Sequence, residues 1–413
     1  MPEPTGRDSM PPGMNMSQHS LVENIPGHTS SGTSVQPNSS EVRMLMTTKG
    51  KWRLMFHGEA YLNLLQQSGP RGADKVFSTN WFMPMAQRDL GPGQLTVRTM
   101  LSVEPGTISG ERYPELFQQG ETAFGRPIID GQHPHDFLME IAGIYDLKLG
   151  KEGLLSFYGG PVGEPAMGPT AYIHRASASE DPIAPLGHHL QDSTHIVDDV
   201  VTAAVTFRWL RVEGSGFHGR EPDEHRWDFD SGPIDSWSTR VTVNPGQNWS
   251  MQYSIAHLTS PEAVHPDEDL RRMTASIMYN RPLARGSWAT TLLWGRNSSL
   301  TQHQVFNGYL LESTLHFLQR NSLWTRMENV DRTSELLGDK AAGAPLPLAD
   351  QFLARVQAYT VGYDRELPLV PQLSTALGGQ LTLYQKPGFL TPFYGDHPLA
   401  FLLFVRVRPG GHH

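Results

Sequence analysis

The sequence predicts an all-β fold, a transmembrane antiparallel up-and-down β-barrel of about 14 strands (range 12–16) with inserted loops plugging its lumen. Three observations predict it. Runs such as "NWSMQYSIAHL" place Trp249, Met251, Tyr253 and Ile255 on one face of an extended chain and Ser250, Gln252, Ser254 and Ala256 on the other, the two-residue period of a strand with one dry and one wet side. The dry faces carry Trp249, Tyr279, Trp288, Trp294, Tyr309 and Phe317 near strand ends, like the aromatic girdles of a barrel in lipid. The wet faces carry charges strand after strand, which suits a hydrated lumen and not a packed soluble core.

The elements follow in order. Residues 1–41 are rich in Met, Pro and Ser without apolar periodicity and predict a disordered tail; residues 42–409 form the barrel. "VRMLMTTKGKWRLMFHGEAYLNLL" offers one short and one long strand around "TTKG", and "FSTNWFMPMAQRDL" with "GQLTVRTMLSVEP" form a hairpin at "GPG". Alternation lapses near 106–135. "DFLMEIAGIYDLKLG" and "EGLLSFYGG" pair next, and a second irregular stretch covers 160–198. Loops that long carry function more often than not, and both are expected to fold inward. "TAAVTFRWLRVEGSGF" reads as one strand, followed by "DSWSTRVTV", the run quoted first, "RRMTASIMY", "SWATTLLWG", "GYLLESTLHFL", "NSLWTRMENV", "QFLARVQAYTVGY", "PQLSTALGGQLTLYQ" and "HPLAFLLFVRVRP". Residues 410–413 make a short C-terminal tail or an added remnant.

Composition narrows the function classes. A net charge of −9 over 413 residues excludes nucleic acid as a partner, because phosphates call for a basic surface. With no cysteine, disulfides, thiolate zinc sites and iron–sulfur clusters are excluded. The polar opening "MPEPTGRDSM" has no signal-peptide pattern, so a leader is either absent or already cleaved. No run of about 18 apolar residues predicts a spanning helix.

"PLAFLLFVRVRP" resembles the closing strand of Gram-negative outer-membrane barrels, although such barrels usually end on the aromatic and this chain continues with "PGGHH". "GRPIIDGQHPHDF", "PLGHHLQDSTHIVDDVVTA" and "GREPDEHRWDFD" are similar to stretches of an uncharacterised porin-like family of Gram-negative outer-membrane β-barrels, a likeness that covers most of 42–409. It implies a fold and a cell outer membrane location, with the lipid bilayer as partner, and no activity.

The expected work is passage of a small polar or ionic solute, with Arg98, Arg208, Arg240, Arg272, Glu312, Arg326, Glu328, Arg355 and Arg406 lining the lumen and setting selectivity. No catalytic residue is assigned. Imidazoles and carboxylates at His133, His135, Asp136, His188, His189, Asp192 and His195 suit Cu or Zn; their bland reading is a plug whose polar groups satisfy one another. Met10, Met14, Met16 and His19 offer soft ligands for Cu, or simply a flexible tail. The carboxylates around Glu221, Asp223, Glu224, Asp228 and Asp230 are candidates for Ca but lack the order of a calcium loop. Two alternatives stand beside the channel. One is a barrel-embedded metal-dependent protein or hydrolase, for which Ser193, His195 and Asp192, Asp198 or Asp199 lie close in sequence without a "GxSxG" elbow. The other is a soluble β-sandwich or propeller that binds glycans. No subunit interface is specified.

Overall fold

A computed structural model describes residues 20–192, 197–341, 353–370 and 372–410. One antiparallel sheet of sixteen strands closes on itself. Its strands are β1 (Trp52–Gln67), β2 (Lys75–Leu90), β3 (Gly93–Leu101), β4 (Leu138–Leu149), β5 (Gly153–Gly163), β6 (Val197–Phe207), β7 (Leu210–His218) and β8 (Ser236–Gly246). They continue as β9 (Trp249–Leu258), β10 (Leu270–Leu283), β11 (Gly286–Ser299), β12 (Val305–Phe317), β13 (Asn321–Thr333), β14 (Leu353–Val370), β15 (Leu373–Gln385) and β16 (Leu399–Pro409).

Each strand pairs with its neighbours in sequence, and β1 pairs with β16 from Ala60↔Val407 to Gln67↔Ala400. Below that ladder the short strand Leu45–Lys49 takes over the β1 edge, with Leu45 opposite Phe56. Closure leaves no long free edge, which hydrocarbon would not tolerate. Turns alternate in length. At one end they are tight, as at 91–92, 208–209, 247–248 and 284–285; at the other they include the long connections 102–137 and 219–235. β1 starts and β16 ends at the tight-turn end.

Side chains alternate across the wall as the pattern demands. On β9, Ser250, Gln252 and Ser254 are buried inward while Trp249 and Tyr253 stand outside. Val205, Val212, Ile277, Leu292, Leu311, Leu323, Val361 and Leu403 form an exposed apolar band. Rings flank it. At the tight-turn end Trp249, Tyr279 and Trp288 touch in series, centroids 4.6 and 5.7 Å apart; towards the loop end Trp237 is exposed and Trp294 lies opposite Tyr309.

Two expectations change. The count is sixteen, not about 14, partly because residues 202–217 are two strands: Arg208, at φ 54°, turns the chain so that Phe207 pairs with Leu210. A single closed sheet with its apolar face outward also excludes the sandwich and propeller readings, which bury that face.

Leu292 sits midway along β11 and is outward. Leu292→Arg is expected to cost about 2–4 kcal/mol in denaturant unfolding from lipid vesicles, the range for a cation at the bilayer midplane, whereas Leu292→Met costs under about 1.5 kcal/mol.

Candidate functional site

The lumen is occupied by the chain itself. Residues 20–41, expected to be disordered, instead run through the tight-turn half of the barrel, with Leu21, Val22, Ile25 and Val35 buried. Their anchors are polar and lie on the inner faces of six strands. Gln87 of β2 donates to Pro26 O (2.7 Å), His28 meets Asp146 of β4 (2.7 Å), and Asn244 of β8 donates to Gln36 O (3.1 Å). Ser250 of β9 reaches Val35 O and Asn280 of β10 reaches Ser39 O. The sixth strand, β3, holds the strongest contact. Arg98 makes a two-pronged pair with Glu140 of β4, at 2.7 Å in both arms, and its remaining N–H groups donate to Ser30 O (2.6 Å) and Gly32 O (2.5 Å). Both side chains are fully buried. Gly32 sits at φ 57°, and a Cβ there would lie 2.6 Å from Glu164 Cβ, so only glycine fits. Met10, Met14, Met16 and His19 lie outside the described residues.

The connection after β5 fills the opposite side. Arg175 binds Glu312 of β12 (2.5 Å) and Asp192 (3.1 Å); Asp181 takes Arg326 of β13 (3.0 Å); Glu180 meets Arg406 and Arg408 of β16. The one-turn helix His188–Gln191 lies against Gly295 and Gly308 of the wall, where a Cβ at Gly295 would strike Leu190 O.

Of the residues expected on the lumen face, Arg98, Arg240, Arg272, Glu312, Arg326, Glu328 and Arg406 are there and buried. Each arginine faces a polar partner: Arg240 binds Glu213 (2.8 Å) and Arg272 binds Asn297 (2.7 Å). Two residues lie elsewhere. Arg208 is in the exposed β6–β7 turn, paired with Glu152 at 2.9 Å. Arg355 points outward from β14 near the loop end, paired with Asp331 and 5.9 Å from the Tyr309 ring. The alternation that puts Ala354 and Val356 inside puts Arg355 outside.

The His/Asp stretches also separate. His135 bonds Glu104 (3.0 Å), Asp136 takes Arg226 (3.2 Å), His188 meets Gln132 (3.0 Å), and Asp192 belongs to Arg175. These four are held by protein partners. His195 and Ser193 lie outside the described residues. In the acidic stretch, Asp223 accepts from His225 N–H and Asp230 N–H donates to Asp198, and among the described residues no three of its carboxylates and imidazoles come within metal-ligand distance of one another. His133 and His189 do converge, on Glu121. His133 Nε2 is 2.9 Å and His189 Nδ1 3.4 Å from Glu121 Oε1, all three side chains being buried. Burial alone would raise the Glu121 carboxyl, but His133, His189 and Arg226 around it together outweigh burial and hold it below the usual carboxylate range. Burial, with His188 adding to it, drives His189 well below its ordinary value, leaving a neutral ring. Beside the cluster, a cavity of ≈ 460 Å³ opens among the loops, lined by Thr122, Arg220, Glu221 and Glu262.

The barrel can now be set beside known structures. An anion-selective porin from Comamonas acidovorans superposes with a TM-score of 0.53 at 11% identity, covering 86% of this chain and 99% of that one. Salmonella typhi OmpF, solved with daunomycin, gives 0.51 at 9% identity over 88% and 100%, and Pseudomonas putida OprB 0.50 at 9% over 86% and 94%. The fold is that of the outer-membrane porins. No protein-family model matches the chain, and no curated protein matches it in sequence.

Sequence reasoning missed Glu121, Glu140, Glu180 and Glu213, the carboxylates that pair with the residues it found. Glu140 carries a signal, since it lies on the wet face of its strand; Glu213 is masked by reading 202–217 as one strand, which puts it on the apolar face, and Glu121 and Glu180 lie in stretches without a period.

Breaking the Arg98–Glu140 clamp should release the N-terminal segment. Arg98→Ala is expected to cost about 3–5 kcal/mol, as for a buried pair stripped of one partner. In this cysteine-free chain a Ser31→Cys probe, fully buried at that position, should react slowly with a maleimide, and at least tenfold faster once Arg98 is Ala.

Proposed function

We propose that this protein is an outer-membrane channel of porin type, passing a small polar or ionic solute through a lumen narrowed by residues 20–41 and 164–192. The observation that carries the reading is the contrast between the two faces of one closed sheet. Outside is an apolar band with aromatic rims; inside, the wall carries buried arginines, carboxylates, amides and hydroxyls strand after strand, interspersed with apolar patches such as Met55, Met83, Met85 and Met100 that pack on the inserted segments. The density of charged and hydrogen-bonding groups suits water and polar solutes. The porin fold supports the reading, and so does the placement of long loops at one end and tight turns at the other.

The inner arginines do not form a ring of one sign. Arg98 faces Glu140, Arg240 faces Glu213, Arg326 faces Asp181, and Arg406 faces Asp364 at 2.7 Å. We therefore read them as braces for the inserted segments, and the channel as weakly charge-selective. The neighbour from Comamonas acidovorans is described as anion-selective; that preference is not carried over.

In planar bilayers the purified protein should give discrete conductance steps, and removing residues 1–41 should enlarge them several-fold. Under a tenfold salt gradient the reversal potential should stay close to zero. Absence of ion flow from both the full and the shortened chain would overturn the channel reading.

A further inference from the structure

We propose that Glu121, His133 and His189 form a binding site for a first-row divalent cation, Zn²⁺ or a similar ion, on the loop side of the lumen. The proposal does not rest on the channel reading.

Proton positions make the first argument. His133 Nδ1 lies 2.8 Å from Pro134 O, and a carbonyl only accepts, so Nδ1 carries the proton. His133 Nε2 then turns its lone pair towards a carboxylate oxygen 2.9 Å away. Two acceptors at that distance need something positive between them, either a second proton or a metal. The Nδ1–H···O=C bond is the outer contact that metal-bound imidazoles regularly make, fixing tautomer and ring orientation.

His189 makes the second argument, and it is independent. The residue is 5% exposed, and among the described residues neither ring nitrogen has a hydrogen-bond partner. A buried imidazole left unsatisfied costs free energy that coordination would recover. Its Nδ1 faces the same Glu121 Oε1 at 3.4 Å. In a tetrahedral site with metal–ligand bonds near 2.0–2.1 Å, neighbouring donor atoms are about 3.3 Å apart. The observed 2.9 and 3.4 Å separations bracket that edge.

The surroundings fit a held ion. Asn297 of the wall donates to His189 O (3.4 Å), and Gly295 lets the His188–Gln191 turn approach the wall closely. Arg226 Nη2 lies 3.7 Å from Glu121 Oε2, engaging the second oxygen and leaving Oε1 to the cluster. Thr122, next in the chain to Glu121, lines the loop-side cavity. Two imidazoles and one carboxylate favour zinc, cobalt, nickel or copper(II), whereas Ca²⁺ and Mg²⁺ require more oxygen donors.

The test uses the full chain in detergent, with His412 and His413 changed to alanine to remove the terminal His pair, stripped with a chelator and titrated with Zn²⁺ by calorimetry and with Co²⁺ by visible absorption. The parent should bind one equivalent and show the intense d–d bands of tetrahedral cobalt. His189→Ala should weaken binding on the order of 100-fold and abolish those bands, with Glu121→Gln as a second, milder variant; His225→Ala should change neither. Retained heat-modifiable gel migration certifies each barrel as folded. Absence of stoichiometric binding by the folded parent, or unchanged binding in folded His189→Ala and Glu121→Gln, would show that a proton bridges Glu121 and His133 and would overturn the proposal.

Discussion

The hydrocarbon outside the barrel constrains everything inside it. A spanning chain must satisfy each backbone N–H and C=O within itself, and a closed antiparallel sheet does so. Closure then fixes where side chains go. With a period of two and an outer face committed to Val, Leu, Ile and aromatic residues, a charge in the membrane-spanning middle of a strand has only the lumen to enter. The ladder of inner arginines is a consequence of that exclusion before it is anything else.

A lumen of sixteen strands is too wide for wall side chains alone to fill, and the charges sent inward need partners. The inserted segments supply them. Residues 20–41 offer backbone carbonyls to Arg98, Gln87, Asn244, Ser250 and Asn280, and the connection after β5 offers Asp181, Glu180 and Arg175 to charges on β12, β13 and β16. Buried pairs of this kind contribute little net stability, since desolvation offsets the attraction, but removing one partner is costly. They therefore specify position more than they stabilise. The insert is held in one register because any other would leave several buried ions unpaired.

This division explains what the sequence made legible. The walls could be read residue by residue, as with Trp237, Thr239, Val241 and Val243 outside β8 and Ser236, Ser238 and Arg240 inside, because lipid imposes a strict alternation on them. The break at Arg208 was hidden, since the outer positions Val205 and Phe207 and the turn residue Trp209 keep the same apolar rhythm through a two-residue turn. The N-terminal segment was illegible for a different reason. Its contacts are mostly carbonyl oxygens received by wall side chains, and backbone acceptors are common to every residue type. The His/Asp stretches were visible as chemistry but not as geometry: His133 and His189 meet only because the connections after β3 and β5 converge at the loop end.

That convergence separates the two kinds of buried polar group in the lumen. Arg98 and Arg240 are matched sets, each guanidinium facing a carboxylate at hydrogen-bond distance and donating its other N–H groups to the inserted segments. The Glu121 cluster is an open set, with two imidazoles facing one carboxylate and the second imidazole, His189, without a hydrogen bond among the described residues. Folding alone would be served as well by an apolar side chain at His189, which would fill the same space against Gly120 without leaving two nitrogens unsatisfied. A matched set is explained by architecture. An open set, held by the wall through Asn297 and Gly295, is what the proposed ion would close, and the donors that face it choose a cation over an anion.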